Sequence, residues 1–208
     1  MKGGNQNMKN LDEKFVYCAI MGDSMVGKTS ISETYSKRYF NDNSESTVFD
    51  NYVVPLQVAG EEFGISMFDT AGKKRFESLR MFSYQECEVV LLCFSTCDRG
   101  TFHSVSDLWM AELKRHSKHC KQKRPVILVG TKIDLRVGNE DSEVSTEEGV
   151  QLAKVIGADC YVECSSRDQK ALKEVFQHVV FSALKFRKKK SNIFKKMFRR
   201  RSASFANY

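Results

Sequence analysis

The chain has 208 residues, with 33 Lys or Arg against 26 Asp or Glu and a formal net charge of +7. That length suits one domain plus an extension and is enough to bury a full core. The apolar runs Phe15 to Met21 and Val89 to Phe94 are far too short to span a bilayer, and the seven scattered cysteines read as reduced, buried thiols rather than a disulfide framework. Ten basic residues and no acid lie in 185–208, which leaves 23 basic against 26 acidic residues elsewhere, a net of −3. The body is therefore mildly acidic and the extension strongly basic.

Residues 1–13, rich in Asn, Lys and Gly, read as a disordered leader; they lack the apolar core of a signal peptide, and Lys2 stands where myristoylation needs glycine. Phe15 to Met21 is an apolar run that reads as a buried strand. Gly22-Asp23-Ser24-Met25-Val26-Gly27-Lys28-Thr29 follows and fits G-x-x-x-x-G-K-[ST], a loop that cradles phosphate. A helix is expected to begin at its end. The main-chain amides of Met25, Val26, Gly27, Lys28, Thr29 and Ser30 would then point at an anion, aided by the helix dipole. Gly22 and Gly27 let the backbone curl where a Cβ would clash. Lys28 is placed for the β- and γ-phosphates, and the Thr29 hydroxyl for Mg²⁺.

Asn51 to Ala59 reads as a strand carrying Pro55, which a sheet tolerates mainly at an edge. Gly60-Glu61-Glu62 reads as a turn, with Phe63 to Phe68 returning as a hairpin. Val89 to Phe94 and Val126 to Val129 are continuous apolar runs, as parallel strands covered on both faces should be, and Tyr161 to Glu163 is a short strand. Helical patterns fall at about 103–116, 146–157 and 169–187. The order β-α-β-β-α-β-α-β-α-β-α predicts an α/β fold: a six-stranded, mostly parallel sheet with one antiparallel edge strand and helices on both faces. The expected organisation is a leader at 1–13, a nucleotide-binding domain at 14–184 and a basic tail at 185–208.

Four further segments follow the phosphate loop at suitable separations: Thr47-Val48-Phe49-Asp50-Asn51-Tyr52, Asp69-Thr70-Ala71-Gly72, Thr131-Lys132-Ile133-Asp134 and Glu163-Cys164-Ser165-Ser166-Arg167. With them, residues 14–185 resemble a Ras-superfamily small GTPase with the P-loop NTPase G-domain fold, nearest the Rho/Rac branch. Phe40, Trp109, Ser83-Tyr84 and Glu174-Val175-Phe176 match the same pattern. The resemblance implies GTP or GDP and Mg²⁺ as ligands. Thr29 and Thr47 would ligate the metal, with Asp69 holding it through water, and the Gly72 N–H would meet the γ-phosphate. Thr47 would do so only with a γ-phosphate present, so that its loop orders with GTP and releases with GDP. Asp134 would accept from guanine N1–H and the 2-amino group, a pattern adenine lacks. Phe40 would stack edge-on against the base, the Ser166 N–H would meet O6, and Thr131, Lys132, Ser165 and Arg167 complete the nucleotide set. Thr131 stands where the family more often has Asn. Asp50 replaces a common Glu and resembles the subset with protein-kinase effectors. Effectors would dock on Thr47–Tyr52 and on the segment after Asp69, and exchange factors are implied as partners.

Two departures bear on hydrolysis. Ser24 stands where the family usually has Gly, intruding on space needed by the attacking water and by an arginine finger. Lys73 stands where the family has the Gln that orients that water, and lysine has donors but no acceptor. Slow hydrolysis and a mostly GTP-bound protein are expected, with an ordinarily cycling GTPase or a non-catalytic, nucleotide-bound interaction module as the alternatives. Ser44 replaces a tyrosine that often covers the nucleotide, so exchange is expected to be faster. Arg136–Ser145 is shorter than the helix that Rho members insert there. His116-Ser117-Lys118-His119-Cys120 lacks a fourth metal ligand and reads as structural.

The sequence ends Ser204-Phe205-Ala206-Asn207-Tyr208 and its last cysteine is Cys164, so a prenylation box is not expected. Phe186, Lys190, Ile193, Phe194, Met197 and Phe198 follow a helical spacing among the basic residues of 185–201. Such a helix is expected on an anionic membrane, with nucleic acid the less favoured partner. Ser202 and Ser204 beside three arginines are candidate phosphorylation sites for its release. The expected location is cytoplasmic, peripheral on the cytosolic face of the plasma membrane or an endomembrane.

Overall fold

The computed structural model describes residues 14–41, 47–117, 123–139 and 141–205, with the backbone alone described for Lys74 and for 192–205. The leader, Ser44, His119 and Cys120 lie outside the described residues, as do the side chains of Ile193, Phe194, Met197, Phe198, Ser202 and Ser204. In chain order the elements are β1 (Phe15–Met21), α1 (Lys28–Lys37), β2 (Phe49–Val58), β3 (Glu61–Thr70), α2 (Glu77–Glu86), β4 (Val89–Ser95), α3 (Arg99–Ser104), α4 (Met110–Ser117), β5 (Val126–Thr131), α5 (Thr146–Ile156), β6 (Cys160–Glu163) and α6 (Gln169–Phe205).

Among the described residues six strands form one sheet in the order β2-β3-β1-β4-β5-β6. The β2–β3 pair is antiparallel and every other pair parallel, as expected from the sequence. Pro55 accordingly lies in the edge strand, opposite Gly64. Alternate residues of the central strands feed two cores. Val16, Cys18, Ile20, Leu91 and Cys93 pack under α1 and α6, through Ile31, Tyr35, Leu172, Val175, Phe176 and Val179. Ala19, Met21, Val90, Leu92 and Phe94 face the other way, against Tyr84, Trp109, Met110, Leu113 and Leu152. Covering both faces explains why β4 and β5 are apolar along their whole length.

The hairpin turn is shorter than the sequence pattern placed it. Val58 pairs with Glu61, so Ala59 and Gly60 alone form the turn, and Glu61-Glu62 belong to β3. Both turn residues have positive φ, 51° and 82°, as a tight turn matching strand twist requires. The helix expected at 103–116 starts earlier, because Asp98 caps it by accepting from the Gly100 and Thr101 amides. It is also interrupted, by a five-residue π turn at Val105–Trp109 between α3 and α4. The helix α5 begins where its pattern does, since Ser145 and Glu148 form a reciprocal capping box, and it ends on Gly157 with φ 68°.

The last helix runs past 187 to Phe205 without a break at 185. No Gly or Pro lies within it to stop propagation, and Lys and Arg are good helix formers. Arg187 ties this helix to the body through Glu88, at 2.7 Å from Nε, and through the carbonyl of Phe15. Among the described residues no helix is long and apolar enough to cross a membrane.

Candidate functional site

Ligands of doubly wound sheets bind beyond the carboxyl ends of the strands, where the order reverses. Here that point is β1, flanked by β3 and β4, and the loop from Gly22 to Gly27 leaves it. Three residues of this loop have left-handed φ: Gly22 at 136°, Met25 at 66° and Gly27 at 96°. A Cβ on Gly22 would collide with the Cys93 carbonyl. Met25 is not a glycine, is 78% exposed, and holds a strained backbone of the kind kept at functional sites. Gly27 caps α1 with no side-chain cap, so the first amides of that helix open into a cleft.

The cleft has a volume of about 380 Å³. Ser24, Met25, Gly27, Lys28, Thr29, Ser30, Thr47, Gly72, Lys73 and Lys132, all named from the sequence, line it. Lys28 is almost fully buried and its Nζ donates to the Asp23 carbonyl at 2.7 Å. Burial pulls this ammonium below its usual range, and Asp69 partly offsets that. The Thr29 and Thr47 hydroxyls lie 2.6 Å apart, although 18 residues separate them. The amide of Ala71 donates to the Val48 carbonyl at 3.2 Å, joining the Thr47 loop to the segment after β3. Gly72 is obligatory by packing: a Cβ would run into the backbone of Asp23 and Ser24.

Asp69 is fully buried, and among the described residues neither carboxylate oxygen has a hydrogen-bond partner. Burial raises its pKa to about 6, against lowering by Thr29 and Lys28. An orphaned carboxylate beside two hydroxyls is an all-oxygen donor set of the kind that suits Mg²⁺. The pH dependence has a definite sign. A carboxyl whose folded pKa exceeds its unfolded value stabilises the fold below about pH 4, and that contribution is gone once pH passes about 6. The metal-free protein should therefore be more stable at pH 4.5 than at pH 7 by about 2 kcal/mol from this group. Asp69→Asn should flatten the difference in urea denaturation. Magnesium binding, which needs the carboxylate, should weaken as pH falls below about 6.

The remaining named residues gather past β5 and β6. Lys132 has φ 62° and leads into a short 3₁₀ turn, Ile133–Leu135, that carries Asp134. The Arg167 guanidinium lies 4.4 Å over the Phe40 ring, and its Nε is 3.7 Å from Asp134 Oδ2. Arg167 thus spans the gap between aromatic ring and carboxylate. Thr131 and Ser165 are buried and bond to protein instead of facing the cleft. The Thr131 hydroxyl lies within reach of the Val26 and Phe94 carbonyls, and the Ser165 oxygen accepts from the Arg167 amide at 3.1 Å. Ser166 is half-buried beside them. Glu163 binds Arg136 at 2.8 Å and accepts from Tyr161 and Thr146, so it braces the loop after Asp134.

Val48, Thr70 and Ala71 of the named motifs also line the cleft, as do Arg75 and Phe76, which were not named from the sequence. Arg75 and Phe76 follow Lys73 closely, so proximity alone could have found them. His116 sits 3.1 Å from Glu77 and packs on Tyr84, a structural setting.

A phosphate-loop domain with these four loops at one end of the sheet is a guanine-nucleotide-binding domain of the small GTPase class. Residues 17–185 match the sequence profile of the Ras family, and the chain belongs to that family. It is similar to the Ras-like GTP-binding protein RhoL of Drosophila melanogaster, at 39% identity over 161 residues, 77% of this chain and 83% of that protein. It is thus a small GTP-binding protein of the Ras superfamily, whose members bind GTP or GDP, generally with Mg²⁺, and hydrolyse GTP.

Proposed function

We propose that this chain is a Rho-type signalling switch, acting on the cytoskeleton or membrane traffic, that hydrolyses GTP slowly and resides mostly in the GTP form. The observation that carries this reading is that Ser24 and Lys73 line the same cleft as the Thr29–Thr47 pair. In this reading the amides from Met25 to Ser30 and the Lys28 ammonium grip the phosphates, while Thr29, Thr47 and Asp69 hold the metal. Magnesium, when bound, neutralises charge on the β- and γ-phosphate oxygens. The Gly72 amide meets the γ-phosphate, and Asp134, Phe40, Lys132, Ser166 and Arg167 enclose the base. Thr131 and Ser165 brace the loops from behind. An attacking water needs one group that both donates and accepts. Lys73 offers donors only, and the Ser24 side chain narrows the approach.

A single-turnover assay of GTP-loaded protein tests the proposal. Phosphate release well below about 10⁻⁴ s⁻¹ is expected, with little response to an activating protein. Arg75, which also lines the cleft, favours a second reading in which a guanidinium from this chain restores hydrolysis. Release at or above that ordinary rate would establish it.

Support for the Rho branch comes from the likeness to RhoL and from Thr47–Tyr52. Exposed Val48, Phe49 and Val53, with Leu79, Met81 and Phe82 on α2, supply apolar surface for effectors and exchange factors beside the cleft. The basic part of α6 is proposed to lie on the cytosolic face of an anionic membrane, supported by exposed Lys185, Lys188, Lys189 and Lys190. Co-sedimentation with phosphatidylserine vesicles, and its absence with neutral ones, is the expected result.

A further inference from the structure

Trp109 is the single tryptophan of the chain. It closes the π turn between α3 and α4 and is 1% exposed. A π turn inserts one residue into the helical ladder and re-aims the side chains around it. Here the indole N–H reaches across 86 residues of sequence and donates to Asp23 Oδ1 at 2.9 Å. Asp23 belongs to the phosphate loop, and its main chain is already engaged twice. Its carbonyl accepts from Lys28, and its backbone abuts Gly72.

Behind the indole lies Arg80, with its guanidinium 4.9 Å from the ring centroid. Glu112 holds Arg80 at 2.8 Å and 2.9 Å, and both side chains are 1% exposed. The Nη1 of Arg80 donates to the Ala71 carbonyl at 2.6 Å and to the Lys73 carbonyl at 2.9 Å, one on each side of Gly72. Tyr84 donates to the same Glu112. A continuous chain, buried at Trp109, Arg80 and Glu112, thus runs from the side chain of Asp23 to the main chain around Gly72. Neither Trp109 nor Arg80 is among the residues that line the nucleotide cleft.

We propose that Trp109 is a positioning residue for the phosphate site: its indole hydrogen bond to Asp23, backed by Arg80, sets the phosphate loop against the Gly72 loop. Lys28 and the Gly72 amide act on the same phosphate only if those two loops keep a fixed separation. The main chain at Asp23 and Ser24 is their point of contact. Its side-chain tether is a bond to a carboxylate, the stronger kind, given by an indole that is 1% exposed. A tryptophan that served only to fill the core would leave the loop indifferent to the acceptor on Asp23.

The experiment uses the full chain loaded with a fluorescent N-methylanthraniloyl GDP. Release rate is read from that label, and Trp109 emission is read in a parallel sample loaded with unlabelled GDP, before and after magnesium chelation. Asp23→Ala is expected to speed release on the order of tenfold, the scale of one lost bond to a charged group. Asp23→Asn keeps an oxygen acceptor without its charge and should recover about half of that effect, holding release within about threefold of the parent. Trp109→Phe should match Asp23→Ala, and the double variant should be no faster than either single one. In the parent and in Asp23→Asn the Trp109 emission should shift when nucleotide leaves, and in Asp23→Ala it should not. Parental release in Asp23→Ala would overturn the proposal. So would failure of Asp23→Asn to rescue, or a parental emission that ignores nucleotide loss. If Trp109→Phe does not fold, the two Asp23 variants decide the matter alone.

Discussion

Asp134→Asn should convert a guanine site into a xanthine site, with guanosine nucleotide affinity falling by about a thousandfold. A carboxylate accepts and cannot donate. Guanine offers it two donors, N1–H and the 2-amino group, whereas xanthine carries a carbonyl in place of the amine. An asparagine amide can donate to that carbonyl and still accept from N1–H. Sites built around buried polar partners discriminate by about 10⁴–10⁵. The Asp134 side chain is 31% exposed and already within 3.7 Å of Arg167, so the smaller factor is expected here. Competition of guanosine and xanthosine diphosphates against a fluorescent nucleotide measures it. Unchanged preference in the variant would remove Asp134 from the base site and leave the phosphate half of the argument standing.

The second large effect is a gain. Ser24→Gly with Lys73→Gln should raise single-turnover phosphate release at least tenfold and restore a response to an arginine-supplying activator, which adds about 10³–10⁵ in functional relatives. Each change should do less alone. Glycine opens the approach but leaves the water without an acceptor, and glutamine supplies donor and acceptor but leaves Ser24 in the path. Glycine at 24 adds no steric demand where Gly72 packs against the loop. A double variant no faster than the parent would mean that neither residue limits hydrolysis, and would direct attention to Arg75, which shares the cleft.

Much of the site was legible because its chemistry depends on short, local spacing. The loop between Gly22 and Thr29 announces itself because glycines, a lysine and a hydroxyl must follow one strand at fixed offsets. The apolar strands were legible for a related reason, since a strand covered on both faces admits few polar residues. Boundaries were less legible. Asp98 started a helix four residues before its apolar period began, and a two-residue turn held Ala59 at positive φ, which composition does not announce. The roles of Thr131 and Ser165 were read too directly. Both sit in nucleotide motifs, yet both spend their side chains on the protein's own main chain, Thr131 steadying the phosphate loop at Val26.

The sequence by itself determined the order of strands and helices along the chain, the phosphate loop, the guanine-type motifs and the two departures at Ser24 and Lys73, because each follows from residue type and local period. The tertiary structure alone decided that, among the described residues, Asp69 is left without a partner, that Arg167 lies over Phe40 and beside Asp134, and that Trp109 reaches Asp23 from 86 residues away. No period or propensity encodes such meetings. They arise where the sheet brings distant strand ends together and burial forces every polar atom there to find a partner or to await one.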